Sequence, residues 1–179
     1  IDSAAFYWCG NLQKIDLTDN LKEIGQEAFC NCFGLETIGS PTQIAKLGRG
    51  AFSRCSNLMG TIDLRNAEIK DSSDLFYEAG HYQLEILLPD NLEEVADGMF
   101  CSAHISNIKL PNNVKSIGES AFRYAGMQSE LALPDTVEKI GAYAFDHSSV
   151  KKLIIPKSTK NIDTSAFAVK DYWEANGTN

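Results

Sequence analysis

The twenty residues Val137-Glu138-Lys139-Ile140-Gly141-Ala142-Tyr143-Ala144-Phe145-Asp146-His147-Ser148-Ser149-Val150-Lys151-Lys152-Leu153-Ile154-Ile155-Pro156 contain every recurring feature of this 179-residue chain. The stretch before them is the same phrase, from Val114-Lys115-Ser116-Ile117-Gly118-Glu119-Ser120-Ala121-Phe122 to Leu131-Ala132-Leu133-Pro134. Leu21, Ile24, Gly25, Ala28, Phe29, Cys32, Leu35, Ile38 and Pro41 spell it again. A fixed period of about twenty to fifty residues marks a solenoid, whose coils bury their apolar sides only against one another. Phenylalanine and proline test the register because both are uncommon and sterically particular. Eight of the nine Phe (Phe6, Phe29, Phe52, Phe76, Phe100, Phe122, Phe145 and Phe167) recur at gaps of 22 to 24 residues, and only Phe33 falls outside the column. All five prolines (Pro41, Pro89, Pro111, Pro134 and Pro156) stand three residues after the core residues Ile38, Ile86, Ile108, Leu131 and Leu153.

Each position has a physical reading. The Phe is the large apolar plug of its coil, burying on the order of 150–250 Å². Ala precedes it in six of eight copies, small enough for the backbone to fold tightly against the next coil. Gly stands four residues before it in four copies (Gly25, Gly48, Gly118 and Gly141), the expected residue where φ is positive. Three residues after it the side chain is small in seven copies: Cys9, Cys32, Cys55, Ala79, Ala103, Ala125 and Ser148. The Leu-x-x-Ile-x-Leu segment that follows ends in a two-residue alternation, the mark of a short half-buried strand, which Pro then closes. A coil of this length accommodates the crossover of about a dozen residues that parallel strands require. The expected fold is therefore one elongated solenoid over residues 1–170, with the Phe rings in one interior column. Its seven strands would form one parallel sheet, roughly 34 Å long at about 4.8 Å per strand.

Ile1-Asp2-Ser3-Ala4-Ala5-Phe6 corresponds to Ile24-Gly25-Gln26-Glu27-Ala28-Phe29, so the chain opens in mid-repeat, and a fragment of a longer protein or a lost N-terminal cap is expected. Leu12-Gln13-Lys14-Ile15-Asp16-Leu17-Thr18-Asp19-Asn20-Leu21 then fits the leucine-rich-repeat pattern L-x-x-L-x-L-x-x-N-L. The fourth copy is irregular. It lacks the Gly and puts Asp71 where Ile24 and Ile140 sit, which reads as drift in a surface turn or as a kink or local contact site. Beyond Thr159 the pattern thins, and residues 171–179 match no repeat. They are expected to be a C-terminal cap, with Tyr172 and Trp173 over the last coil, or the start of a linker.

The formal charge of −8 argues against nucleic-acid binding, where phosphate neutralisation by Lys and Arg supplies most of the affinity. No apolar run approaches the ~18–20 residues of a membrane span. Residues 1–90 carry 13 acidic and 7 basic side chains and residues 91–179 carry 11 and 9, so the acidity is concentrated in the first half. Lys151, Lys152, Lys157 and Lys160 form a basic cluster, read as a solvated face in preference to an anion site. Of the five cysteines, Cys9, Cys32 and Cys55 share one column and Cys30 and Cys101 another; without paired C-x₂₋₄-C elements they read as structural thiols and not as a zinc site. His81, His104 and His147 fall five, four and two residues after their Phe and imply no shared site. No nucleophile–base or metal spacing is present, so no enzyme, metal or cofactor is expected.

The combined phrase I-G-x-x-A-F-x-x-C-x-x-L-x-x-I-x-L-P resembles the BspA-like class of leucine-rich repeats over residues 1–167. That resemblance implies a right-handed superhelix with a parallel β-sheet on its concave face and short turns, strands or 3-10 segments on the convex side. It also implies a non-catalytic recognition or adhesion module of a secreted or cell-surface protein, with a protein or glycan partner such as host matrix; the alternative is a passive spacer within a larger surface protein. A monomer is expected.

Strand alternation says where such a partner would sit. If Ile15 and Leu17 point inward, Asp16 points outward, followed in the next copies by Gly39, Asp63, Leu87, Lys109, Ala132 and Ile154. The expected binding surface is the half formed by residues 85–155, with Leu87, Ala132 and Ile154 as apolar contacts and Lys109 and Lys152 setting orientation. The competing expectation is that Glu85, Lys109 and Lys152 cover these apolar residues.

Overall fold

The computed structural model describes residues 1–18, 20–39 and 44–168; the tail 171–179, with Tyr172 and Trp173, lies outside them. The architecture is a parallel-strand β-solenoid of about six turns, with no helix among the described residues. Its strands are two to four residues long: β1 (Glu23–Ile24), β2 (Lys46–Leu47), β3 (Gly60–Asp63), β4 (Glu68–Ile69), β5 (Leu84–Leu87), β6 (Glu94–Val95) and β7 (His104–Ile105). The second half continues with β8 (Asn107–Lys109), β9 (Ser116–Ile117), β10 (Gly126–Met127), β11 (Leu131–Ala132), β12 (Lys139–Ile140), β13 (Leu153–Ile154) and β14 (Asn161–Ile162). Every pairing is parallel.

What organises each coil is the turn around its Phe. Residues one before, one after and three after the Phe donate their N–H groups within the coil to the carbonyl three residues back, as Ala28, Cys30 and Cys32 do to Gly25, Glu27 and Phe29. The Phe itself and the residues two before and two after it donate instead to the next coil, as Phe29 to Ala51 (2.9 Å), Glu27 to Arg49 (2.9 Å) and Asn31 to Ser53 (3.0 Å). The backbone is thereby satisfied without a long strand, as a buried chain requires. Inside this frame the eight Phe rings stack in one column, with successive centroids 5.1 to 5.8 Å apart and ring planes within 19° of parallel. Phe29, Phe52, Phe76, Phe100 and Phe122 are fully buried.

The glycine expectation needs correcting. Gly25, Gly48, Gly118 and Gly141 are absent from the positive-φ positions. They are required by close approach: a Cβ on Gly118 would lie 2.7 Å from the Asp97 amide nitrogen and 2.8 Å from the Ala96 carbonyl carbon. The left-handed positions lie two residues before and two after each Phe, from the first copy through the seventh. Residues as unlike as Trp8, Arg54, Glu78, Tyr124, Tyr143 and His147 occupy them at φ of 50 to 62°. Non-glycine residues rarely adopt that conformation; here the inter-coil hydrogen bonds and the buried ring between each pair offset its cost.

The single continuous sheet also resolves differently. The strands after the Phe form two ladders, β3-β5-β8 and β11-β13, with an isolated parallel bridge from Lys14 to Thr37 ahead of them. The connection from Phe to the inward strand residue varies from eight residues (Phe100 to Ile108) to ten (Phe76 to Ile86), yet β5 and β8 pair in register, so connection length alone does not set where the ladders break. The Ile-Gly segments before the Phe make ladders of their own, β1-β2-β4 and β6-β9-β12-β14, and β7 pairs with β10 on a further edge. In the irregular copy Ile69, not Asp71, occupies the strand position, pairing with Leu47. Lys70 and Asp71 are the additional residues, and beyond them the ladder stops, so β4 and β6 belong to different sheets.

Candidate functional site

The side chains expected on the binding face lie where alternation places them, in two groups. Asp63, Leu87 and Lys109 are register partners across β3, β5 and β8, and Ala132 pairs with Ile154 across β11 and β13. No ladder joins β8 to β11, so the column is interrupted between Lys109 and Ala132. Leu87 is half-buried, Lys109 and Ala132 are exposed, and Ile154 is 44% exposed on a strand paired on one side only. A polar row runs beside them. Glu85 accepts from Thr61 Oγ1 (3.1 Å) and Asn107 Nδ2 (3.0 Å), and Lys152 Nζ meets Glu130 Oε2 at 3.0 Å. These bonds direct Glu85 and Lys152 along their own row. At the Leu87 end a shallow depression of about 210 Å³ is lined by Arg65, Leu87, Asp90, Lys109 and Pro111 among others. Arg65 grips Asp63 beside it (2.7 Å), which holds the Asp63 carboxyl below the usual carboxylate range.

The cysteine column has a packing role that columns alone do not reveal. Cys32 Sγ donates to the Phe6 carbonyl (3.0 Å) and Cys55 Sγ to the Phe29 carbonyl (3.1 Å), so each thiol ties its coil to the one before. Burial pushes the Cys32 thiol up to about 11 and raises Cys55 as well. Thiols that resist ionisation are poor nucleophiles and poor metal ligands. Among the described residues no cluster of three His, Cys, Asp or Glu side chains is placed to hold a metal ion, and no helix is long and apolar enough to cross a membrane.

Sequence reasoning missed the turn edge. Because the residues flanking each Phe are left-handed, their side chains gather along one border of the solenoid from separate coils. Buried Asp146 receives Arg123 Nε (2.9 Å) and His147 Nδ1 (2.6 Å), while Arg123 lies over the rings of Tyr124 (4.9 Å) and Tyr143 (5.2 Å). His81 and His104, which share no column, both lie against Tyr82, at 6.1 and 4.6 Å between ring centroids. Nothing in the spacing of the histidines signals this, since Tyr82 meets His81 within its own coil and His104 from the next.

The arrangement as a whole defines a leucine-rich-repeat solenoid. The family described as BspA type Leucine rich repeat region matches in six copies, over residues 1–128 and 72–173, and the chain belongs to that family. Its fold is similar to a leucine-rich repeat protein from Bacteroides ovatus (TM-score 0.76, 26% identity, 92% of this chain and 43% of that one). It is also similar to the leucine-rich repeat protein of T. pallidum (TM-score 0.57, 25% identity, 90% of this chain and 65% of that one). The pneumococcal vaccine antigen PcpA shares the fold at 20% identity (TM-score 0.51, 84% of this chain and 41% of that one). The chain thus spans less than two thirds of the length of each. No curated protein matches it.

Proposed function

We propose that this chain is a non-catalytic recognition module of a secreted or cell-surface protein, and that it binds a protein partner through the outward face of β5, β8, β11 and β13. The carrying observation is the two in-register pairs, Leu87 with Lys109 and Ala132 with Ile154, set beside a polar row whose side chains are already hydrogen-bonded. Apolar contacts ringed by satisfied polar groups are the composition of a protein interface. Lys109 orients the partner, while Lys152, held by Glu130, marks the rim. Support for the setting comes from the family and from solenoid relatives that include a vaccine antigen. A second reading, a passive spacer, is favoured by the same polar row, because Thr61, Glu85 and Asn107 satisfy one another without a ligand. Binding of immobilised matrix proteins, measured by surface plasmon resonance for wild type and for the Leu87→Asp/Ile154→Asp double mutant, separates the two. Recognition through this face requires the mutant to lose binding while its circular dichroism is unchanged. Undiminished binding by the folded mutant overturns the assignment of the face, and no binding by wild type favours the spacer.

A further inference from the structure

On the turn edge of the first four coils, the position directly after the Phe reads Tyr7, Cys30, Ser53, Tyr77. A large side chain at each end with two small ones between makes a notch. The structure has a cleft there of about 350 Å³, lined by both tyrosines together with Glu27, Asn31, Arg49 and Arg54, and completed by Asp74. That volume lies within the range of small-molecule sites, about 300–1,000 Å³. Three coil spacings separate the tyrosines, roughly 14 Å at about 4.8 Å each.

The cleft's chemistry is selective. Its lining carries two carboxylates, Glu27 and Asp74, and two guanidinium groups, Arg49 and Arg54, so it is balanced in charge and favours neither an anion nor a cation. Arg49 Nη2 holds Asp74 Oδ2 at 2.8 Å, and Arg54 is fastened to Glu78 (Nε to Oε2, 3.2 Å) while lying over the Tyr77 ring at 5.7 Å. The Glu78 carboxylate keeps the Tyr77 phenol protonated, raising it from its ordinary range. Asn31 is 3% exposed; its amide nitrogen donates to Cys30 Sγ, but its Oδ1 finds no partner among the described residues. Donors and acceptors therefore alternate at close quarters between two aromatic walls. A hydroxyl, which both donates and accepts, suits such a lining better than a group that does only one. The apolar C–H face of a pyranose suits a tyrosine ring.

We propose that this cleft binds a neutral oligosaccharide of two or three pyranose units, stacked on Tyr77 and Tyr7 and hydrogen-bonded by Arg49, Asp74 and Glu27. It is separate from the protein-binding face proposed above and rests on different residues. The test is a ¹⁵N-resolved NMR titration of the whole chain with maltotriose, cellotriose and mannotriose in turn, with a heparin disaccharide and a neutral polar peptide as competing chemistries. At least one neutral trisaccharide is expected to shift the amides of Tyr7, Asn31, Ser53 and Tyr77 at millimolar concentration. Tyr77→Ala should weaken that binding about three- to tenfold, the scale of one aromatic contact. Arg49→Ala, whose side chain is largely exposed and so leaves the fold intact, should weaken it by about tenfold, and it carries the test alone if Tyr77→Ala does not fold. Leu87→Asp/Ile154→Asp should leave the titration unchanged, so failure of the sheet-face reading and failure of this one are distinguishable. The proposal is overturned if none of the three sugars shifts these residues, if the heparin disaccharide or the peptide does so instead, or if Arg49→Ala binds as wild type does.

Discussion

The coils around Phe100 and Phe122 and the irregular coil around Phe76 differ in their strands and agree in their turns. In the regular pair, the segments before the Phe, β6 and β9, pair with each other and continue through β12 and β14 as a four-stranded ladder. In the irregular coil, β4 pairs backward with β2 and has no ladder forward, leaving a cavity of about 400 Å³ between Ile69 to Ser73 and Asn91 to Asp97. Yet Phe76 stacks on Phe52 at 5.7 Å and on Phe100 at 5.8 Å, and Asp74, Phe76 and Glu78 donate to Asp97, Met99 and Cys101 as their counterparts do elsewhere. The lesson is that the invariant unit of this solenoid is the Phe turn. The strands are consequences that one misaligned copy can forgo.

The largest expected effect tests that independence. Phe122→Ala should cost about 3–5 kcal/mol, and Phe76→Ala should fall in the same range despite its irregular coil, because both rings are fully buried. Urea denaturation of the two variants is the measurement. A Phe76→Ala loss less than half that of Phe122→Ala would show that ladder and column are coupled after all.

Next comes the position four before the Phe. Gly118→Ala should destabilise by about 1–3 kcal/mol, since its Cβ has backbone on the facing coil in its way. Ala96 holds the same position facing the open ladder, and Ala96→Gly should cost only the ~0.5–1 kcal/mol of added backbone freedom. Equal effects from the two would contradict the close-approach account.

Smaller still is the compensation inside the irregular coil. Buried Ser72 stands where regular copies have Gly, and its Oγ accepts the Ala96 amide at 3.3 Å, replacing part of the lost ladder. Ser72→Ala should cost about 1 kcal/mol and speed hydrogen exchange at Ala96. Unaltered exchange there would mean that the bond contributes nothing.

The smallest effect is one of pH. The Asp71 carboxyl is held below its ordinary range by hydrogen bonds from Ser73, so its contribution is present above the unfolded value of about 3.9 and is lost as pH falls through the folded one. Because the group is exposed, acidification should shift the Ser73 amide while changing global stability by well under about 1 kcal/mol. The shift should vanish in Asp71→Ala, and its persistence there would assign the titration to another carboxylate.

Much of this fold is legible from residue spacing. Phe and Pro recur often enough to set the coil register, and two-residue alternation alone puts Leu87, Lys109 and Ile154 on the outward face, where the ladders hold them. Gly118 and Gly141 stand out as a column, but spacing suggests the wrong cause for it. A glycine marks either a backbone angle or a close neighbour, and a column of glycines does not say which. Asp71 is misaligned by spacing for a related reason: a two-residue shortening before Ile69 and the two-residue insertion after it cancel in length, so the period alone does not register them.

By itself, the sequence determined that this protein is a solenoid, where its Phe column runs and which residues fill its core. Those are properties of a one-dimensional repeat in which each coil meets only its neighbours. Tertiary structure alone decided where the backbone turns left-handed, since positions held by Trp8, Arg54 and Tyr143 carry no compositional mark and owe their conformation to hydrogen bonds with the next coil. It alone also decided the gathering of Arg123, Tyr124, Tyr143 and His147 about Asp146, and the cleft between Tyr7 and Tyr77. Each takes its shape from side chains more than twenty residues apart, and their nearness depends on how neighbouring coils are spaced and offset once they stack.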